Sequence, residues 1–468
     1  SGRLSSVWPS RRPDINRRKG EVRPFFRGLH YTGALDIMIN MKMGRYYPPA
    51  KGDIMFIWTA VKNKLRKFIP VGRTYLDNKL NALNNRFKDL DNRFKELDKD
   101  VKRADKRQGK LLEDLRQEMR QNSRDQIKAI EELKKYIDQE LQRRDDWGKR
   151  ASEIARNAGD RPIWVLKCPA PEGPAKVRWG DYAYALSLKR YIDRLGIYTI
   201  VDTREDWDCE ENADVVIALR GCHFYRPDRR NSKCLYIMWN ISHPEMVTPE
   251  EYELYDVVCI CSRRYAEEIA PKVKVPVLPL LQCTDTELFY PAEKQPETFE
   301  NDYIFIGNSR GVARRCVVWA AEDKLPLKIW GGGWTTILAE NMDLIQDSEI
   351  ENEKIPDIYR SSKATLNDHW KDMLDCHFVN NRIFDALACG LPVISDCCDE
   401  LQEIFPDAVL YYNTKEDFDK CIETLENNYD EIRARAAAQW PMIREKFSFA
   451  TRAQELVEIV EKYGKKNQ

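Results

Sequence analysis

Residues 366–396 read LNDHWKDMLDCHFVNNRIFDALACGLPVISD, and this stretch decides the fold. A dense polar loop comes first, a short helical pattern follows, and Gly390 ends that pattern before the apolar run at 392–395. A helix between two short apolar runs is typical of a parallel sheet with crossover helices. Ligands of such sheets bind at the carboxyl ends of the strands, where helix N-termini offer unpaired amides to phosphates. The stretch therefore predicts an α/β fold with a ligand site beside its polar loop.

Short apolar runs alternate with helical patterns on both sides of this stretch. The first series covers 163–166, 197–201, 215–219, 235–239, 257–261 and 277–281. The second series covers 303–306, 327–330, 364–366, 392–395 and 409–411. Buried parallel strands have this appearance, because both of their faces are covered. We therefore predict the α/β class, with two tandem Rossmann-like domains at 158–292 and 298–430 and further helices at 431–468.

The N-terminal part of the chain differs in charge from the rest. Residues 1–70 contain 15 basic and 4 acidic residues, a net charge of +11, so the remaining residues hold 61 and 72, a net charge of −11. We interpret 1–53 as a basic extended arm, because it has too little apolar surface to fold alone. Residues 54–75 predict a basic amphipathic helix, which would bind either an anionic membrane surface or the protein's own body.

A heptad pattern follows this amphipathic segment. Apolar residues recur at steps of three and four from Leu80 to Leu115, which predicts a coiled coil over 76–150. The helix would have about 65 residues and a length of about 100 Å. Because its apolar seam needs a partner, we expect a homo-oligomer. Pairing with a different protein and folding back on itself are the alternatives.

Composition argues against several classes of protein. The formal net charge of the whole chain is zero and the body is acidic, which disfavours nucleic-acid binding through the basic arm. The longest uncharged apolar run, 54–61, is too short to span a bilayer. All thirteen cysteines lie at or after Cys168, without metal-type spacing, which indicates reduced thiols. We therefore expect a cytoplasmic protein, peripheral on the cytoplasmic face of a membrane if its N-terminal helix binds lipid.

Glycine-rich turns follow two strands of the second series. The first turn contains Gly307, Asn308, Arg310 and Arg314, and it suits a pyrophosphate because amides and guanidinium groups grip its oxygens. The alternative is a solvated helix start. Gly332 belongs to a triple glycine in the next turn, where a ligand can approach the backbone closely.

The helical pattern after the polar loop carries further candidates. Asn381 and Asp385 are four residues apart, so both side chains face the same way near the start of the helix. A carboxylate at that place can bind both hydroxyl groups of a ribose. The alternative is a surface ion pair between Arg382 and Asp385.

The segments 305–310 (FIGNSR) and 381–396 (NRIFDALACGLPVISD) resemble the group 1 glycosyltransferases of GT-B fold, near family 4 and within the CgeB-like branch. The resemblance covers roughly residues 160–465. It implies tandem Rossmann-like domains, with the terminal helices crossing back onto the first domain. It also implies retaining transfer of a sugar from a nucleoside diphosphate donor, held by the second domain, with Arg310 and Arg314 at the diphosphate.

The same resemblance assigns residues to the donor contacts, and one of these residues departs from the family's pattern. The family's Glu-x7-Glu pair, which binds the donor sugar and the ribose, corresponds here to His377 and Asp385. A histidine does not simply replace a carboxylate. The sugar contact is therefore expected to move to Asp372, Asp375 or Asn380.

On the acceptor side, the resemblance implies a histidine after a central strand of the first domain. His243 follows the run at 235–239 and is the candidate, the alternative being a hydrogen-bonded structural residue. The segment 179–182 (WGDY) resembles the acceptor-side loop of the family. Its Asp181 would be either a catalytic base or a helix N-cap, and the cap is the simpler interpretation.

Together these features predict a metal-independent glycosyltransferase of cell-surface polysaccharide synthesis that needs no cofactor. The nucleotide sugar is its donor substrate, and the acceptor is a glycan or a lipid-linked glycan. The carboxylate pairs at 89–91 (DLD) and 206–208 (DWD) fall in the coiled coil and in a polar connection, so no metal site is expected. The alternatives are an inactive GT-B body that serves as a coiled-coil scaffold and a sugar-nucleotide epimerase.

Overall fold

The structure is a computed structural model that describes residues 73–101, 108–207, 212–229, 233–293, 298–309 and 311–464. The predicted basic arm, nearly all of the predicted amphipathic helix and Arg310 lie outside the described residues. The chain divides into a helical unit that ends at residue 150 and an α/β unit that begins at residue 151.

Two helices are described in the N-terminal part, α1 (Arg73–Val101) and α2 (Gln108–Ala158). The Nη1 atom of Arg93 in α1 lies 3.3 Å from Oε1 of Glu118 in α2. One continuous helix would separate these residues by about 37 Å, at 1.5 Å per residue. At this point α1 therefore lies beside α2, as in the folding-back alternative. The coiled coil and its oligomer stay predictions. No helix within the described residues is long and apolar enough to cross a membrane.

The first half of the α/β unit is a six-stranded parallel sheet. Its strands are β1 (Ile163–Lys167), β2 (Tyr198–Asp202), β3 (Val215–Arg220), β4 (Leu235–Asn240), β5 (Val257–Ile260) and β6 (Val277–Pro279). Its helices are α3 (Gly180–Arg194), α4 (Pro249–Tyr252) and α5 (Arg263–Ile269). The strand order is β2-β1-β3-β4-β5-β6, so the order reverses between β1 and β3. Strands β1, β3, β4 and β5 are buried along their whole length, which accounts for their continuous apolar runs.

The second half repeats this architecture. Its strands are β7 (Asn301–Ile306), β8 (Leu327–Trp330), β9 (Ile345–Asp347), β10 (Ser362–Asn367), β11 (Val393–Asp396) and β12 (Val409–Tyr412). Its helices are α6 (Arg315–Glu322), α7 (Ile355–Arg360), α8 (Lys371–Asp375), α9 (Asn381–Ala388), α10 (Asp399–Ile404) and α11 (Lys415–Asn427). The order β12-β11-β10-β7-β8-β9 reverses between β7 and β10, where an open sheet offers a ligand crevice. Two parallel six-stranded sheets in tandem confirm the predicted α/β, two-domain GT-B-like fold.

The chain ends with helices α12 (Tyr429–Ala437), α13 (Trp440–Lys446) and α14 (Phe449–Tyr463). Helix α14 packs into the core of the first domain, where the ring centroids of Phe449 and Tyr184 are 4.6 Å apart. Just before α14, Ser448 pairs in parallel with Thr284, which follows β6. The two connections between the domains therefore run side by side at this point.

Candidate active site

Two glycine turns meet at the carboxyl edge of the second sheet, after β7 and β8. A Cβ on Gly331 would lie 2.2 Å from the carbonyl oxygen of Gly307, and the φ of Gly331 is +143°. Only glycine fits there, because the backbones of the two turns touch. Asn308 Oδ1 accepts a 2.7 Å hydrogen bond from the amide of Gly332, which joins the turns again. The predicted glycines therefore shape this edge, and their contact with a nucleotide stays a prediction.

Two arginines converge on one aspartate beside these turns. Arg314 is buried, and its Nε and Nη2 donate to Oδ1 and the carbonyl oxygen of Asp368 at 2.6 and 2.8 Å. Arg382 donates to the carbonyl oxygens of Ile306 and Asp368 at 3.1 and 3.2 Å. Burial disfavours the Arg314 cation, but Asp368 outweighs this effect and raises the pKa of Arg314. Burial and then Arg314 lower the pKa of Arg382.

These contacts change the interpretation of both arginines. The alternative interpretation, a surface ion pair between Arg382 and Asp385, is wrong, because Arg382 donates to backbone carbonyls of other segments. The charge of Arg314 is balanced by Asp368 within the fold, so a diphosphate would have to compete with an existing buried pair. Arg310, the other predicted diphosphate residue, lies outside the described residues.

A histidine and an aspartate fix the polar loop after β10. His369 Nδ1 lies 2.6 Å from Oδ1 of Asp396, the last residue of β11. Its Nε2 accepts the amide of Asn380 at 3.4 Å, so the proton is assigned to Nδ1, which donates to Asp396. Burial opposes the charge of Asp396, but His369 outweighs it and lowers the pKa of Asp396. Sequence reasoning missed Asp396, although its place at the carboxyl end of a strand was an available signal.

Asn380, in the same loop, has one polar side-chain atom with a hydrogen-bond partner and one without. Its Nδ2 donates to Oδ1 of Asn367 at 3.1 Å, which holds the amide in one orientation. Its Oδ1 is buried and has no hydrogen-bond partner. Asn380 is also the residue before α9, yet its side chain makes no capping bond to that helix. Buried acceptors without partners are rare, and a ligand is one explanation for them.

His243 and Asp372 join the carboxyl edges of the two sheets. His243 follows β4, Asp372 lies on α8, and His243 Nδ1 is 3.4 Å from Asp372 Oδ2. Asp372 and then Cys222 raise the pKa of His243 to about 9. The Oδ2 of Asp372 is buried and makes no hydrogen bond of good geometry. The structure therefore brings the candidate acceptor-side histidine against one of the carboxylates predicted to take over the sugar contact.

His377 lies on the loop between α8 and α9. Its φ is +61°, an uncommon backbone conformation for a residue with a side chain. Its Nδ1 is buried without a hydrogen-bond partner. Asp375, by contrast, is exposed and lies 2.5 Å from the ammonium group of Lys371. Among the predicted replacements for the family's carboxylate, Asp372 is thus buried against His243, Asn380 is buried with an unbonded Oδ1, and Asp375 is a surface residue.

Asp385 lies in a different environment from the one a ribose ligand requires. Thr284 Oγ1 donates to its Oδ1 at 2.6 Å, and Asn381 Nδ2 donates to its Oδ2 at 3.1 Å. The side chain is buried, and burial raises the pKa of Asp385 to about 8. Ribose binding by Asp385 stays a prediction, and each oxygen of Asp385 already accepts one hydrogen bond from the fold.

Asp181 lies in the first turn of α3, at the carboxyl edge of the first sheet. The residue that caps this helix is Trp179, through its extended backbone, so the N-cap interpretation of Asp181 is wrong. His223, which sequence reasoning missed, follows β3, and its Nε2 is 2.9 Å from Arg204. Burial and then Arg204 lower the pKa of His223, and the charge of Asp181 opposes them. Asp181 and His223 thus lie close enough to interact at the acceptor edge.

The arrangement combines a cation, buried acceptors and close backbone turns where two sheet edges face each other. Such a cleft can hold an anionic ligand with hydroxyl groups. Within the described residues, no group of three His, Cys, Asp or Glu side chains is placed to hold a metal ion.

Comparisons with known proteins agree with the enzyme class. Residues 313–458 match the family model described as "Glycosyl transferase-like". This match confirms the prediction that the chain is a glycosyltransferase. No curated protein sequence matches the chain.

Several solved structures are similar to the chain at low identity. Sucrose-phosphate synthase from Thermosynechococcus elongatus is 12% identical, with 64% of this chain and 99% of that chain covered and a TM-score of 0.47. Anabaena HepE in complex with UDP and glucose is 11% identical, with coverage of 64% and 99% and a TM-score of 0.46. The T4 phage protein BGT in complex with UDP-glucose is 14% identical, with coverage of 64% and 99% and a TM-score of 0.45.

Proposed function

We propose that the cleft transfers a sugar from a nucleoside diphosphate donor to a hydroxyl group of a glycan or lipid-linked glycan. One observation carries this proposal. The pair of His243 and Asp372 spans the two sheet edges, and the segment that carries Asp372 also contains buried polar atoms of His377 and Asn380 without a hydrogen-bond partner. Sugar hydroxyl groups both donate and accept hydrogen bonds, so they would satisfy such atoms.

The donor would lie along the second sheet, with its diphosphate near the start of α9 and the turns of Gly307 and Gly332. The first-turn amides of a helix are free of intrahelical partners, and the N-cap Asn380 makes no side-chain cap here. The buried Oδ1 of Asn380 and Oδ2 of Asp372 would then accept bonds from hydroxyl groups of the sugar.

The charge of His243 sets its role in this reaction. Because its pKa is raised to about 9, the imidazole is protonated at neutral pH and is a poor general base. As a cation it would stabilise negative charge that develops on the leaving diphosphate. Deprotonation of the acceptor hydroxyl would then fall to another group of the acceptor edge, for which Asp181 is the candidate. Metal independence and retention of configuration are parts of the same proposal.

The four common nucleoside diphosphates test the donor site. We expect one of UDP, GDP, CDP and dTDP to bind the full chain in calorimetry, and its sugar nucleotide to be turned over. Asp372→Asn should lower turnover at least tenfold while leaving the affinity for the free nucleotide nearly unchanged, because Asp372 faces the sugar. Asp375→Asn is the matched control, since Asp375 lies on the same helix but is exposed.

The two alternatives predict different results. An inactive scaffold would bind none of the four nucleotides, and the replacement of the family's Glu-x7-Glu pair by His377 and Asp385 favours that reading. An epimerase would convert the sugar nucleotide to an isomer without any acceptor. Product analysis in the absence of acceptor separates it from a transferase, which would release only hydrolysed sugar.

The N-terminal segments supply the cellular part of the proposal. We propose that the basic residues before α1 bind anionic lipid and that the helical unit oligomerises the chain in the cytoplasm. Full-length protein should float with vesicles of anionic lipid, whereas protein without residues 1–75 should not. Light scattering of the whole protein measures its oligomeric state. If the protein is a monomer, the apolar seams of α1 and α2 would be covered by the contact between these two helices.

A further inference from the structure

We propose that Asp385 is a positioning residue that fastens the donor-side helix α9 to the point where the chain crosses between the domains. This inference rests on the proposed function, because α9 is the helix whose start would receive the donor. It assigns to Asp385 a role in domain geometry instead of a ribose contact.

The crossing point is built around Thr284. The amide of Thr284 donates to the carbonyl oxygen of Phe447 at 2.9 Å, and the amide of Phe449 donates to the carbonyl oxygen of Thr284 at 3.1 Å. Arg452 Nε adds a bond to the carbonyl oxygen of Leu281 at 2.8 Å. The connection that leaves the first domain is therefore bonded to the connection that returns to it.

The side chain of Thr284 connects this crossing point to the second domain. It is fully buried, and its hydroxyl donates to Asp385 at 2.6 Å. The other oxygen of Asp385 accepts from Asn381, the first residue of α9. Movement of Thr284 is thus transmitted through one carboxyl group to the first turn of the helix.

The next residue connects the crossing point to the first domain. Asp285 accepts hydrogen bonds from Ser187 at 2.7 Å and from Tyr191 at 3.0 Å, and it contacts Arg190. All three partners lie on α3. Two consecutive residues therefore bind opposite domains, and a rotation of one domain against the other must strain one of the two sets of bonds.

The environment of Asp385 agrees with this role. We expect a carboxylate that binds a ribose to be hydrated and ionised when no nucleotide is bound. Asp385 is 7% exposed, and burial raises its pKa to about 8. Each oxygen of Asp385 has a neutral donor of the fold as its partner, so the buried carboxyl group is satisfied without a ligand.

Hydrogen exchange of the full chain without nucleotide tests the connection directly. Thr284→Val removes the hydroxyl but keeps the shape of the side chain, and we expect exchange of the amides in 281–289 and 445–450 to rise about tenfold. Thr284→Ser, which keeps the hydroxyl, should restore protection. Thr424→Val is the control, because Thr424 is exposed and bonds only within its own helix.

Ligand measurements then separate positioning from ribose binding. If Asp385 positions α9, Thr284→Val and Asp385→Asn should both lower sugar-nucleotide turnover, and their effects should be less than additive. The affinities of the two variants for UDP, GDP, CDP or dTDP should agree within threefold, because both substitutions act through the same helix. A loss of nucleotide affinity of tenfold or more in Asp385→Asn, with Thr284→Val unaffected, would establish the ribose role and overturn the proposal.

Unchanged hydrogen exchange in Thr284→Val would also overturn the positioning role of Asp385. Because the exchange measurement needs no nucleotide, it gives the same answer if none of the four binds. Failure of the proposed enzymatic function and failure of the positioning role are therefore distinguishable.

Discussion

The carboxyl edges of the two sheets have different constructions. In the second domain, the edge formed by residues 307–309, 314 and 367–382 is joined by internal bonds such as those of Arg314 with Asp368 and of His369 with Asp396. In the first domain, the edge formed by residues 168–182, 220–226 and 240–246 presents apolar tips to solvent. Val177, Phe224 and Met246 are 61%, 47% and 48% exposed.

This difference is consistent with the proposed function, in which one donor meets a variable acceptor. Under that proposal, a rigid network would preorganise the second edge for a ligand whose nucleotide part is constant. Loops whose tips make few internal bonds can change without cost to the core, so acceptor recognition can vary on the first edge. The comparison predicts large effects of substitution on the second edge and small ones on the first.

The largest effect is expected from Arg314→Met. Removal of the cation leaves Asp368 buried without its partner, which should lower the free energy of unfolding by about 3–5 kcal/mol. Urea unfolding followed by circular dichroism measures the loss. Arg315→Met is the neighbouring control and should change stability by less than about 0.5 kcal/mol, because Arg315 is exposed. Equal losses of unfolding free energy in the two variants would contradict the internal bonding of the second edge.

Gly331→Ala should come next. The new Cβ would lie 2.2 Å from the carbonyl oxygen of Gly307, so the two turns must separate, at a cost of about 2–3 kcal/mol. Gly332→Ala is the control, since its nearest neighbours would be 3.5 Å away. Thermal unfolding of both variants measures the difference. If Gly331→Ala unfolds at the same temperature as the wild type, the two turns are not in contact.

Asp385→Asn tests whether the network of internal bonds in the second edge extends to the crossing point between the domains. The folded pKa of Asp385 is raised to about 8, so its contribution is fully present below the unfolded pKa of about 4 and is lost as pH rises through 8. Asparagine does not titrate. The variant should therefore gain about 3–4 kcal/mol relative to the wild type between pH 5 and pH 8.

Denaturant unfolding at both pH values measures this gain. The exposed Asp375→Asn should show no such trend. A free energy of unfolding of Asp385→Asn that stays constant or falls relative to the wild type as pH rises would contradict a buried carboxyl group.

The contact between the two edges is weaker than the network within the second edge. In Asp372→Asn the pKa of His243 should fall from about 9 toward its ordinary value of about 6.5, as read from NMR titration of the imidazole. Because the folded pKa of His243 is raised, the stabilisation is present below pH 6.5 and is lost as pH rises through 9. The variant should lose about 1–2 kcal/mol at pH 6 and much less at pH 10. An unchanged titration would show that the edges do not meet.

The smallest effect is expected from Phe224→Ser on the first edge. An exposed side chain of this kind should change the free energy of unfolding by less than about 0.5 kcal/mol. Phe305→Ala, on a buried strand of the second sheet, should cost about 3–5 kcal/mol in the same assay. A large loss in Phe224→Ser would mean that the first edge is as tightly built as the second.

Several features of the molecule were predictable because they depend on neighbours in the chain. The runs at 215–219 and 235–239 are continuous and apolar, and both become strands that are buried along their whole length. The turns at Gly307 and Gly332 and the polar loop of His369 were placed at strand ends for the same reason. The position of a residue after a strand is a local property, and the edge of the sheet follows from it.

Contacts between distant segments were not predictable. Arg314 and Asp368 are 54 positions apart, and Thr284 and Asp385 are 101 apart. The alternative that paired Arg382 with Asp385 and the interpretation of Asp181 as an N-cap failed, because each assumed a partner nearby in the chain. The partner of the heptad seam was left open for the same reason, since heptads are equally compatible with pairing between chains and with folding back.

The α/β class, the two tandem domains and the strand ends at which a ligand would bind could all be predicted from local patterns in the chain. A strand buried on both faces and a glycine turn are each encoded by adjacent residues. The pairing of Arg314 with Asp368, of His243 with Asp372 and of Asp385 with Thr284 is visible only in the folded molecule. The charge and availability of a side chain depend on what lies beside it in space, and closure of the two sheets against each other sets those neighbours.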